Sequence, residues 1–158
     1  MLRTMLAATA ATGLLLASGC GANRSDQILG SWICNVPHIP IDDTSSGSAV
    51  LRVSYLSDGK SSGSAEISGQ SQNMQMAFNL TYQGAWKIAG VNLEETITNV
   101  IANYGTVNGM QLPPEALTEM SRMMREQGVG FGGSMRIDEL TAKSMTLQGP
   151  DGSMSCTR

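Results

Sequence analysis

The chain has 158 residues, with 10 Lys and Arg against 13 Asp and Glu, a net charge of −3 and only 15% charged residues. The length suits one domain, and the scattered cations exclude a basic patch for nucleic acid. The 18 glycines, together with many Ser, Thr, Asn and Gln, give the composition of an exported β-rich protein, unlike that of a cytosolic helical enzyme.

At the start of the chain, one positive charge, Arg3, precedes an apolar run from Met5 to Leu16 that is too short to span a bilayer. That is the layout of a secretory signal. Small residues and a thiol follow, and Leu14-Leu15-Leu16-Ala17-Ser18-Gly19-Cys20 resembles the lipobox of bacterial lipoproteins. The resemblance implies that residues 1–19 are a signal peptide and that Cys20 is lipidated on sulfur and acylated as the new N-terminus. Residues 20–27 then form a lipidated tether to a domain of residues 28–158. Gly21 stands where, in that family, Asp would favour the inner membrane, so the expected place is the outer membrane, facing the periplasm. The alternative is an ordinary signal cut near Ala17 or Gly19, leaving Cys20 as a free thiol or disulfide partner.

With Cys20 assigned to lipid, Cys34 and Cys156 remain, and in an oxidising compartment they are expected to pair. A redox or metal pair suits them less well, because there is no Cys-x-x-Cys and His38 is the only histidine.

Ile28 to Cys34 reads as the first strand. Val36 to Gly47, with two prolines, Asp42-Asp43 and a Ser run, reads as a loop carrying His38. Ala49 to Leu56 alternates as a half-buried strand, Ser57-Asp58-Gly59-Lys60 is a hairpin turn, and Ala65 to Ser68 is a short return strand. Met74, Met76, Phe78, Leu80 and Tyr82 alternate strictly with Gln75, Ala77, Asn79 and Thr81, the cleanest period-two pattern in the chain. Gly84 to Ile88 predicts a separate strand, and Gly90-Val91-Asn92 a turn into a further one over Leu93 to Thr98.

After Ile101 the alternation breaks, and Gly105, Asn108 and Gly109 mark a loop. Pro113-Pro114-Glu115 opens the one helix, and Gly128 sits where its C-cap belongs. Leu117, Met120 and Met124 line one stripe, widened by Met123, with Glu119, Arg122 and Glu126 opposite. A strand around Met135 and Ile137 follows, then a last hairpin of Lys143 to Gln148 and Met154 to Thr157, joined at Gly149-Pro150-Asp151-Gly152. The expected fold is mainly β: eight or nine short strands with one inserted α-helix, closed as a small antiparallel β-barrel or, alternatively, packed as an antiparallel β-sandwich.

Gly30-Ser31-Trp32 on the first strand and Cys156-Thr157-Arg158 on the last resemble the lipocalin or calycin pattern. The resemblance implies that Trp32 closes the bottom of the barrel while Arg158 packs over it as a cation–π contact. A Cys34–Cys156 bond would pin the same two strands together.

Catalytic signals are weak. His38 has no nucleophile motif around it, neither Gly-x-Ser-x-Gly nor His-Glu-x-x-His, so a solvated histidine is expected. Asp42-Asp43, Glu94-Glu95 and Asp138-Glu139 are adjacent pairs whose members point to opposite faces of a strand. Thioethers at Met120, Met123 and Met124 are of the type that suits Cu(I), but without clustered His the expected role is core or pocket lining. No enzyme activity, metal or cofactor is expected. Two functions remain. In one, Met74, Met76, Phe78 and Leu80 line an apolar cavity lidded by Met120 and Met124, which binds a lipid or other hydrophobic small molecule. In the other, the interior is filled and the protein presents a face to an envelope protein partner.

Overall fold

The computed structural model describes residues 23–42, 45–71, 73–127, 132–150 and 152–158. Their alternating segments form nine antiparallel strands and two helices in the order α1 (Arg24–Ile28), β1 (Gly30–Asp42), β2 (Ser45–Tyr55), β3 (Lys60–Ser71), β4 (Met74–Ala89), β5 (Asn92–Val107), β6 (Met110–Gln111), α2 (Pro114–Gln127), β7 (Gly133–Leu140), β8 (Ser144–Gly149) and β9 (Gly152–Thr157). Eight strands make a ring, β1-β2-β3-β4-β5-β7-β8-β9, which returns to β1 and is therefore a barrel. The two-residue β6 adds to the end of β5 beyond the ring. Residues 1–19, Cys20, Gly21 and Gly128, expected as the helix C-cap, lie outside the described residues.

The nine strands agree with the expected count, but several are longer than the alternation predicts, for three reasons. Val36 to Asp42 belongs to β1 despite Pro37 and Pro40, because β9 pairs β1 only at Ile33, Cys34 and Asn35. Beyond Asn35 no described strand pairs with the second edge of β1, and the two register shifts against β2 fall at the prolines. The Ser-rich segment Lys60 to Ser71 is one strand of 12 residues, because β2 and β4 pair it on both sides and override its weak propensity. Gly84 to Ile88 continues β4 without a turn.

Past Ile101 the pattern breaks for a different reason: β5 continues to Val107 but carries two bulges. The extra residues are Thr98 and Asn103, and each inverts the alternation after it. Their side chains bond across to β4, Thr98 Oγ1 to the Gln83 carbonyl at 3.2 Å and Asn103 Nδ2 to Asn79 Oδ1 and Thr81 Oγ1, both at 3.3 Å. The reversal comes only at Asn108-Gly109, both at positive φ (50° and 78°), which turns the chain into β6.

The segment read as a polar tether enters the folded body at Asn23. Its side chain caps α1 by accepting the Ser25 N–H at 3.3 Å, and Ile28 at the end of α1 is fully buried. Here the barrel is sealed. Trp32 donates Nε1–H to the Ile28 carbonyl at 2.7 Å, and the Arg158 guanidinium lies 4.0 Å from the centre of the Trp32 ring. Arg158 Nη2 also donates to the carbonyls of Gln27 and Leu29, at 2.6 and 2.7 Å, so one cation holds the C-terminal end of α1 against the last strand. Cys34 and Cys156, directly opposed across β1 and β9, are joined as a disulfide.

At the other end the ring of strands is incomplete. β5 pairs with β7 only from Asn92 to Glu95, so among the described residues the edge of β5 beyond it has no strand partner until β6. Helix α2 fills the gap. Ser121 is 5% exposed; its Oγ accepts the Ala102 N–H at 2.8 Å and donates to the Leu117 carbonyl at 2.7 Å, while Arg125 Nη1 donates to the Val100 carbonyl at 2.9 Å. The inward stripe is Leu117, Met120 and Met124, joined by Ser121; Met123 is 41% exposed and faces away.

Replacing Ser121 by Ala strands a buried backbone donor on β5, which costs about 1–3 kcal/mol. The expected result is a lower urea midpoint with an unchanged slope. An unchanged midpoint would mean that Ala102 does not depend on the helix for its partner.

Candidate functional site

The interior divides into a packed half and an open half. Toward α1, the inward side chains of β2 to β5 are Tyr55, Ser61, Tyr82, Trp86, Leu93 and Glu95, all buried. Glycines make this density feasible: a Cβ on Gly63 would sit 2.8 Å from the Tyr82 ring, and one on Gly84 would sit 2.9 Å from Ser61 Oγ. Trp86 fixes the β2–β3 turn, donating its backbone N–H to Gly59 at 2.7 Å and Nε1–H to the Leu56 carbonyl at 3.0 Å. Its ring meets Tyr55 edge to face with centroids 5.3 Å apart.

Glu95 stands inside this half, 6% exposed. Ser61 Oγ donates a short hydrogen bond to Oε1, and the Tyr55 hydroxyl donates to Oε2 at 3.3 Å. Burial is the largest effect on this carboxyl and raises its pKa above the ordinary glutamate value, while the two hydroxyls pull it back in part. Burial, with the nearby carboxylate second, also raises the tyrosines at 55 and 82. The neighbouring Glu94 points outward and pairs with Lys87 at 3.0 Å. Chain alternation placed the two carboxylates on opposite faces; which one faced inward was decided by the register with β4 and β7.

Toward α2, the barrel holds a cavity of about 450 Å³. Its walls are mainly apolar, Leu51, Ile67, Leu80 and Val100 among them, with Met124 above. Four glycines, Gly132, Gly133, Gly149 and Gly152, line it, and an added Cβ at Gly133 or Gly152 would meet nothing within 4 Å. Among the described lining residues none is Asp, Glu, Lys or Arg. A larger hollow of about 670 Å³ lies on the outer sheet face, where Ser54, Ser62, Thr81 and Gln83 are already solvated, so the half-open, more apolar cavity toward α2 is the better ligand site.

Of the residues expected to line a pocket, Leu80 and Met124 do so. Phe78 and Met120 pack against the core beside it, Met76 is half-buried by a separate polar hollow, and Met74 is 39% exposed at the barrel rim. The face of β4 carrying these residues points inward, but its first two positions overshoot the barrel. His38, on strand β1 and exposed, borders the cavity mouth. Met135, Met154, Val36 and Ile39 join the lining from strands whose residues carried no pocket signal.

Among the described residues no group of three or more His, Cys, Asp and Glu gathers where a metal could sit, and no helix is long and apolar enough to cross a membrane. The chain matches no family model, and no curated protein matches it in sequence.

Glu95 makes stability depend on pH with a definite sign. Its folded pKa is raised, so its contribution is fully present below the ordinary glutamate value and is lost as pH rises through the raised value. Glu95→Gln should therefore have a higher urea midpoint than wild type at pH 7, with the difference closing as the pH is lowered below 4.5, the ordinary value. Parallel midpoint–pH curves would show that the carboxyl is solvated.

Proposed function

We propose that this protein is a lipid-anchored envelope lipoprotein, of lipocalin-like type, that binds a small hydrophobic molecule in the cavity beneath α2 and performs no catalysis. The observation that carries the ligand reading is the cavity itself. Its volume of about 450 Å³ falls within the roughly 300–1,000 Å³ of small-molecule sites, and among its described lining residues there is no Asp, Glu, Lys or Arg to solvate an ionic ligand. His38, Ser134 and Ser153 are the polar groups available to orient a head group.

The lipocalin resemblance gains support from the end opposite the cavity, where Trp32 and Arg158 stack and α1 covers the opening. The anchor reading rests on the lipobox-like stretch ending at Cys20, with Gly21 favouring the outer membrane. An anchor there joins the body through a short segment at Asn23, at the sealed end, and leaves the α2 end free to meet a ligand. The rival role, a filled barrel recognising an envelope protein, fits the packed half around Glu95 but leaves the cavity without a use.

One pair of variants tests both parts. A fatty acid supplied in growth medium should label the wild-type protein and leave Cys20→Ala unlabelled. The unlabelled protein should then bind about one equivalent of a fluorescent fatty acid. Adding Ile67→Trp, which fills the cavity mouth, should weaken that binding by at least about tenfold, whereas Leu56→Trp on an exposed turn should not. Labelling that survives without Cys20 would overturn the anchor, and absence of probe binding would overturn the ligand role.

A further inference from the structure

The cavity collects sulfur. Met124 enters from α2, Met135 from β7 and Met154 from β9, and His38 borders the mouth from β1. Three methionines, with the exposed His38 at the rim, thus line one cavity from four separate elements. The helix alone could not show this, because its own methionines diverge: Met124 faces in and Met123 faces out.

Strand pairing accounts for the convergence of two of them. Arg136 pairs with Gln148, which brings Met135 beside Gly149, and a Cβ on Gly149 would lie 3.8 Å from Met135 Cγ. Gly149 in turn pairs with Gly152, so no side chain stands across β8 from Met135 in that row. The next inward side chain on β9 is Met154, which is half-buried and lines the same cavity. Asn35 pairs with Ser155, which places Met154 against β1 just below the segment that carries His38.

We infer that these residues form a binding site for a soft monovalent metal ion, Cu(I) or its redox-inert analogue Ag(I), with the thioethers of Met124, Met135 and Met154 and the imidazole of His38 as donors. This rests on the reading of the cavity as a ligand site and adds a second class of ligand to it. The donor chemistry selects the metal. Thioethers are soft and neutral at every pH, so they bind a polarisable monovalent ion without giving up a proton, whereas Ca²⁺, Mg²⁺ and Zn²⁺ need carboxylates, thiolates or several imidazoles. The cavity supplies none of those among the described residues. A set of neutral donors also leaves only a single positive charge to bury, the smallest burden an apolar cavity can be given.

The test uses the full chain with Cys20→Ala and 13C-labelled methionine methyl groups. One equivalent of silver nitrate should shift the methyl signals of Met124, Met135 and Met154 and the ring signals of His38, and zinc should not. The exposed Met74, Met110 and Met123 serve as internal controls. Replacing Met124, Met135 and Met154 together by Leu keeps the cavity apolar and nearly conserves its volume. That variant should lose silver affinity by at least about tenfold while keeping the urea midpoint and slope of the parent, which shows that it is folded. Equal shifts at the exposed methionines, or silver binding that survives the triple replacement, would overturn the metal site. Wild-type protein that binds the fatty acid but not silver would overturn it while sparing the apolar-ligand reading, and protein that binds neither would overturn both.

Discussion

The fold depends on a closure of three residue pairs. Between β1 and β9 only Ile33 with Thr157, Cys34 with Cys156 and Asn35 with Ser155 are in register, and without them the ring opens into a sheet with two long edges. So short a ladder is weak by itself. The disulfide in its middle spans a sequence separation of 122, for which chain entropy gives on the order of 4–5 kcal/mol. Arg158, two residues past Cys156, adds its stack on Trp32 and its two bonds to the carbonyls at the end of α1. Covalent bond, cation–π contact and helix cap act at the same seam.

Sealing that seam with large residues divides the interior. Near it, Trp32, Trp86, Tyr55 and Tyr82 fill the lumen, and inward glycines at 63 and 84 give the aromatic rings room. A buried carboxylate is tolerated there because Ser61 and Tyr55 hydrogen-bond it. Farther from the seam the wall is no longer made only of strands. Helix α2 substitutes for the missing neighbour of β5 through Ser121 and Arg125, and a helix held by side chains cannot fill the lumen as strands do. The cavity is the consequence, and its lining is what the chain has in quantity, methionine and aliphatic residues.

Much of this was legible in the residues. The alternation in β2 and β4, the Asp58-Gly59 turn and the Pro-Pro-Glu start of α2 are local signals, each of which predicts its element, and the cysteine count pointed to the Cys34–Cys156 pair. The two β-bulges were not legible: Thr98 and Asn103 look like ordinary strand residues, and only pairing with a continuous β4 reveals them as extra. Nor does any local rule mark Pro37 and Pro40 as strand residues, because what allows them there is an edge that no described strand pairs, which depends on how far β9 extends. The cavity was half legible. Inward residues of β4 could be named, but which of them reach the lumen depends on where the barrel ends, and Met135 and Met154 enter only through the glycine gap at 149 and 152.

Amide hydrogen exchange on the oxidised and the thiol-reduced protein addresses the closure most directly. If three pairs and their clamp hold the ring, reduction must sharply lower protection at Ile33, Asn35, Ser155 and Thr157 and along α1, at least as early as anywhere in the β3–β4–β5 meander. Protection at those four amides that is unchanged by reduction would contradict the account, because the ring would then be holding without its clasp.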